Sequence, residues 1–70
     1  MDRQAVDSSM IRSLGYNPEG QILEVEFVKG QVYQYEGVPV EVFDTLIDSD
    51  SIGKAFSQHV RSQGYAYKQV

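Results

Sequence analysis

The stretch 21–36, QILEVEFVKGQVYQYE, decides the fold. Leu23, Val25 and Phe27 alternate with Glu24 and Glu26, the period-two pattern of a strand buried on one face. Lys29-Gly30 interrupts the pattern, and residues 31–36 return as the second arm of a hairpin. Two registers compete. A two-residue turn at Lys29-Gly30 pairs Phe27 with Val32, seats Gln34 in the core and leaves Tyr33 and Tyr35 in water beside Glu26 and Glu24. A three-residue loop, Val28-Lys29-Gly30, with Gly30 in the left-handed conformation as a bulge, slips the pairing by one. Such a slip moves every side chain to the other face. Tyr33 and Tyr35 then join Leu23, Val25 and Phe27, while Gln34 and Glu36 face solvent. The second register segregates apolar from polar side chains and is the one expected.

Outward from the hairpin, residues 10–16 read as a preceding strand, closed by the turn residues Asn17-Pro18-Glu19-Gly20. Residues 1–7 show no periodicity and are expected to be a flexible lead-in, with Asp7-Ser8-Ser9 opening the fold. After Gly37-Val38, Pro39 stands near a helix start, where its missing N–H costs nothing. Pro39, Val42, Phe43, Leu46 and Ile47 share one side of that helix; Glu41, Asp44, Thr45 and Asp48 share the other. Ser49-Asp50-Ser51 supplies an N-cap for a second helix running to about Gln63, with Gly64 as its C′ residue. Its apolar stripe is Ile52, Ala55, Phe56, His59 and Val60, so His59 is expected to be buried. Residues 65–70 alternate again and predict a last strand with Tyr65 and Tyr67 inward. The order β-β-β-α-α-β predicts an α+β fold: an antiparallel sheet of about four strands, covered on one face by a helical hairpin.

Seventy residues make one domain, 1–70, because so short a chain buries only one core. With no cysteine, disulfides, thiolate zinc sites and a cysteine nucleophile are excluded. No run approaches the roughly 20 apolar residues of a membrane span. Met1-Asp2-Arg3-Gln4 is not followed by the apolar run of a signal peptide, and a cytoplasmic location is expected. The net charge of −4 is uneven: all ten acids and three of the six cations lie at or before Asp50, leaving −7 there and +3 beyond.

The free cations of the C-terminal part, Lys54, Arg61 and Lys68, together with Arg12, are the candidate nucleic-acid contacts. Lys54 and Arg61 lie about two helical turns apart and project from one side. Their alternative role is to solubilise the surface or to pair with Asp44, Asp48 or Glu41. Tyr33 and Tyr35 have the spacing of a base-stacking pair, but the chosen register makes them core residues whose hydroxyls reach the rim. Ser8-Ser9 has no base or oxyanion donor near it in sequence. Asp44, Asp48 and Asp50 lack a calcium-loop pattern. Gly15, Gly20, Gly30 and Gly37 punctuate a sheet and do not form a phosphate loop. No catalysis, metal, cofactor or small-molecule substrate is expected.

Ser8-Ser9, Ile11, Tyr16, then Leu23, Val25 and Phe27, then Gly30, Tyr33, Tyr35 and Val38-Pro39 resemble the KTSC domain. Phe43, Ser51, Gly53, Phe56, Arg61, Tyr65 and Tyr67 extend the likeness, which runs from about Ser8 to Tyr67. Ser49-Asp50 departs from it, standing where a small apolar residue is expected. The family takes its name from the C-terminal extension of some lysyl-tRNA synthetases and also occurs as small stand-alone bacterial proteins. The resemblance implies a binding module with RNA as the suggested ligand and Phe27, Gly30, Tyr33, Tyr35 and Pro39 as structural motif. The alternative is a protein-interaction or self-associating module using Val28, Val32 and Ile22 on the uncovered sheet face, or a free sheet edge.

Overall fold

A computed structural model of the chain describes residues 2–70. The hairpin takes the slipped register. Leu23 pairs with Tyr35, Val25 with Tyr33 and Glu26 with Val32. The Phe27 N–H donates to the Gln31 carbonyl (2.9 Å), and the Gly30 N–H donates back to the Phe27 carbonyl (2.9 Å). Gly30 sits at φ 104° with nothing within 4 Å of where a Cβ would lie. Its role is therefore purely conformational: it turns the chain in a region that L side chains rarely enter.

The hairpin is formed by β3 (Ile22–Phe27) and β4 (Val32–Tyr35), and β2 (Ile11–Asn17) pairs with β3. Among the described residues the sheet has five strands, one more than expected, in the order β1-β2-β3-β4-β5, all antiparallel. The added strand is β1 (Arg3–Ala5), which lies in the segment expected to be a flexible lead-in. Its sequence carries no strand signal because all three residues are exposed. What holds it is the ladder to β2, where Arg3 opposes Gly15, and an ion pair from Arg3 Nη1 to Glu24 Oε2 at 2.7 Å. A Cβ on residue 15 would come within 2.6 Å of the Asp2 carbonyl oxygen and 3.0 Å of Arg3 Cγ. Gly15 thus leaves the space through which the arginine stem crosses β2 to reach β3.

The expected solvent face of the hairpin is polar, yet its centre is closed. Glu24 is only 6% exposed, accepting from Arg3 and from Gln34 Nε2 (2.8 Å). Beside it, Ser13 Oγ donates to Glu26 Oε1 (2.8 Å). A bulge at Arg12 changes the register between Ile11 and Ser13. Without it Ile11 and Leu14, three apart, would face opposite sides of the sheet. With it both are fully buried on the helix side. Ser8 anchors the start of this strand, its Oγ accepting from the N–H groups of Met10 and Ile11 at 3.2 Å each.

From the buried Val38 the chain enters α1 (Val40–Asp48), with Pro39 as N-cap. Leu46 is buried, and Val42, Phe43 and Ile47 pack partly against the core. Helix α2 (Ile52–His59) buries Ile52, Ala55 and Phe56. It stops sooner than expected: a 3-10 turn, Arg61–Gln63, follows Val60 and ends at Gly64, φ 75°. Val60, at φ −122° and ψ −61°, places its side chain in the core. His59 is exposed, contrary to the expected burial. Both residues border the apolar stripe, but a buried isopropyl group gains free energy whereas a buried imidazole must replace its water hydrogen bonds. The last strand, β5 (Tyr67–Gln69), pairs with β4 through Tyr35 and Tyr67.

Two measurements check this account. Gly30→Ala is expected to cost about 1–2 kcal/mol in urea unfolding, because the alanine must hold a positive φ. Burial opposes ionisation of Glu24, but the hydrogen bonds from Gln34 and Arg3 and the arginine charge outweigh it and hold the carboxyl below its usual 4.5. Its stabilising contribution is complete above that unfolded value and is lost as pH falls through the lower folded one. Urea midpoints from about pH 7 to about pH 3 should therefore fall more steeply in the native chain than in Glu24→Gln.

Candidate functional site

The two short helices cover only part of the sheet. At the hairpin end of the same face, and over β5, the aromatic side chains continue beyond the helical cover. Five rings there form a closed circuit. Phe56 meets Phe27 edge-on at 5.7 Å between centroids; Phe27 meets Tyr33 at 5.8 Å and Tyr33 meets Tyr67 at 5.9 Å. Tyr67 lies 5.4 Å from Tyr35, which returns to Phe56 at 5.5 Å. The strand period supplies two of the five rings by placing Tyr33 and Tyr35 on one face, and the β4–β5 register sets Tyr67 opposite Tyr35.

Exposure rises around the circuit. Phe56 is fully buried, Tyr35 is 8% exposed, Tyr33 is half-buried and Tyr67 is 63% exposed. The expectation of an inward Tyr67 is correct for its face and wrong for its burial: β5 is an edge strand that no helix overlies. Tyr65 is half-buried against the core. Burial raises the Tyr35 phenol pKa above 10.0, and the charge of Arg61 opposes that rise.

Arg61 stands at the rim of the circuit, its guanidinium carbon 5.6 Å from the centre of the Phe56 ring. Among the described residues it makes no ion pair; the ion pairs found there belong to Arg3. Two open clefts meet at this point. One, of about 350 Å³, is lined by Phe27, Tyr33, Tyr35, Arg61, Tyr65 and Tyr67. The other, of about 390 Å³, shares Phe27, Tyr33 and Arg61 and extends to Met10, Lys29 and Gln31.

The remaining cations are dispersed. Lys54 lies in the first half of α2, beside a depression lined by Ser8, Ser9 and Asp50. Lys68 is opposite Gln34, which bonds to Glu24, so Lys68 lies on the far side of the sheet from Arg61. Arg12, on the bulge, donates to the Val28 carbonyl at 3.3 Å. The structure therefore does not join these four into one basic face. It pairs Arg61 instead with Lys29, whose position at the tip of the turn beside Phe27 and Tyr33 was the signal available in the sequence.

The apolar patch expected on the uncovered face is likewise divided. Ile22 and Val32 lie at opposite ends of the Glu24–Gln34 row, and Val28 lines the helix-side cleft. Among the described residues no group of three His, Cys, Asp or Glu side chains is placed to hold a metal. Nor is any helix there long and apolar enough to cross a membrane.

The KTSC domain family matches residues 7–68, and the chain belongs to that family. A crystal structure of a KTSC domain protein from Yersinia pestis superposes with a TM-score of 0.87 at 34% identity, covering 99% of this chain and 96% of that one. An uncharacterized protein of Stutzerimonas stutzeri is 51% identical over 70 residues, covering 100% of this chain and 99% of its own length. A lysine–tRNA ligase of Nostoc is 33% identical over 64 residues, 91% of this chain but 11% of the ligase.

The burial gradient predicts opposite outcomes for two tyrosines. Tyr35→Ala should cost about 3 kcal/mol or more by urea unfolding, and Tyr67→Ala no more than about 1 kcal/mol.

Proposed function

We propose that this domain is a non-catalytic binding module for single-stranded RNA, with the aromatic circuit as its stacking surface and Arg61 as its phosphate contact. The observation that carries the reading is Tyr67: a 63% exposed ring beside an arginine that makes no ion pair among the described residues. A large aromatic surface left open next to a free cation suits an unpaired base and its phosphate. The relation to lysine–tRNA ligases supports the same ligand class, since those enzymes act on RNA by name.

The chain's net charge of −4 opposes long-range attraction of a polyanion. Affinity is then modest and comes from stacking more than from charge. With only Arg61 and Lys29 beside the clefts, the salt dependence should be shallow, about −0.7 per phosphate for a single strand. A folded duplex offers no unstacked bases and binds less well.

A partner protein or a second copy of the chain is the weaker reading. The uncovered sheet face is centred on the closed Arg3–Glu24–Gln34 network, and the free edge of β5 is three residues long and carries Lys68; short charged edges resist strand addition. A cytoplasmic location accords with an RNA ligand.

The chain has five tyrosines and no tryptophan, so tyrosine emission reports on the site directly. Titration with a single-stranded RNA hexamer should quench it. Tyr67→Ala should weaken binding by about 1–3 kcal/mol with the fold intact by circular dichroism. The reading is wrong if no RNA binds at low salt, or if Tyr67→Ala and Arg61→Ala both bind like the native chain.

A further inference from the structure

The two clefts differ in chemistry although they share a wall. The one over Tyr65 and Tyr67 is walled chiefly by rings. The other opens past Tyr33 toward Ser9, Lys29 and Gln31, and so adds a hydroxyl, an ammonium and a carboxamide. At about 350 and 390 Å³, each is near the lower limit of roughly 300 Å³ for a small-ligand pocket, a size suited to one nucleotide. Phe27, Tyr33 and Arg61 belong to both, so occupants of the two clefts would be adjacent, with Arg61 at the step between them.

Resting on the RNA reading above, we infer that the paired clefts take two consecutive nucleotides and that only the second cleft reads base identity. The first base stacks at Tyr67, where any base serves, because every base presents a π-face. The phosphate linking the two lies at Arg61, whose planar guanidinium can donate two parallel N–H bonds to it. The next phosphate lies at Lys29. In the second cleft Gln31 is exposed and belongs to no strand, so its amide is free to meet a base edge. A carboxamide presents one acceptor and one donor side by side. Adenine offers the matching donor and acceptor on both its Watson–Crick edge (N6 with N1) and its Hoogsteen edge (N6 with N7). The other bases offer such a pair on the Watson–Crick edge but not on the Hoogsteen edge, which makes adenine the preferred second base.

Arg61, rather than Lys54 or Lys68, is the cation of the step. Lys68 is on the other sheet face, and Lys54 borders a separate depression with Asp7 and Asp50 in its wall. The specificity element is then a residue that neither helix carries, placed by the same turn that sets the hairpin register.

Amide chemical shifts of the full chain, followed during titration with uridine monophosphate, the dinucleotides UpA and UpU, and hexamers of adenylate, uridylate and cytidylate, test this. The mononucleotide should move the signals of Tyr65 and Tyr67. UpA should add Val28, Lys29 and Gln31. Oligoadenylate should bind tightest, and Gln31→Ala, a surface change, should reduce that preference by about 2- to 10-fold. Tyr67→Ala should weaken all three hexamers by a similar factor, about 5- to 150-fold. If a hexamer binds but UpA moves no more signals than the mononucleotide, or if Gln31→Ala leaves the ranking unchanged, the two-cleft assignment is overturned and the RNA reading survives. If no hexamer binds, both are overturned.

Discussion

The turn at Gly30 governs the rest of the molecule. Because Gly30 holds φ 104°, the hairpin closes over three residues instead of two, and Leu23, Val25, Phe27, Tyr33 and Tyr35 share one face. The helices pack on that face, and their contact residues have no other surface to cover. A closure one residue shorter would present Gln34 and Val32 to Phe56 and leave both tyrosines in water. The core, the aromatic circuit and the clefts at its margin all follow from one backbone conformation that residues with a side chain rarely adopt.

The opposite face shows a second use of a missing side chain. Gly15 lets the Arg3 stem pass over β2, so that a guanidinium from the first strand closes on Glu24 of the third. Glu24, Gln34, Ser13 and Glu26 complete a network of charge-assisted hydrogen bonds in which the buried acid has partners for both oxygens. This gives a three-residue strand with no buried residue a reason to be ordered. It also makes the uncovered face a structural surface, leaving the helix-side margin as the place where side chains remain available.

The domain is small, and its helices of nine and eight residues, at about 1.5 Å per residue, are shorter than five strands spaced about 4.8 Å apart are wide. That mismatch produces the candidate site. Where α2 gives way to the 3-10 turn, Arg61 comes over Phe56, and beyond it Tyr67 stays mostly exposed. The same rings that seal the core at Phe56 and Tyr35 continue, without a change of face, into solvent at Tyr67. Core and surface are graded into each other, and a tyrosine is suited to such a gradient because its ring can bury while its hydroxyl stays wet.

Local pattern by itself determined the hairpin and its register, the apolar side of α1, the Ile52, Ala55 and Phe56 stripe of α2, the place of Gly64 and the family, since each is written in the order and spacing of residues along the chain. It missed β1, because Arg3-Gln4-Ala5 has no periodicity to show and is ordered by a partner 21 residues away. It also missed the bulge at Arg12, which appears only when β2 and β3 are aligned. The exposure of His59 and Tyr67 was decided by tertiary structure alone. Periodicity says which way a side chain points, but whether another element lies over it depends on where helices end and which strand forms the edge. The cations were split by tertiary structure too: Lys68 lies on the opposite face of the sheet from Arg61, and α2 ends before Arg61, so Lys54 and Arg61 do not share one helical side.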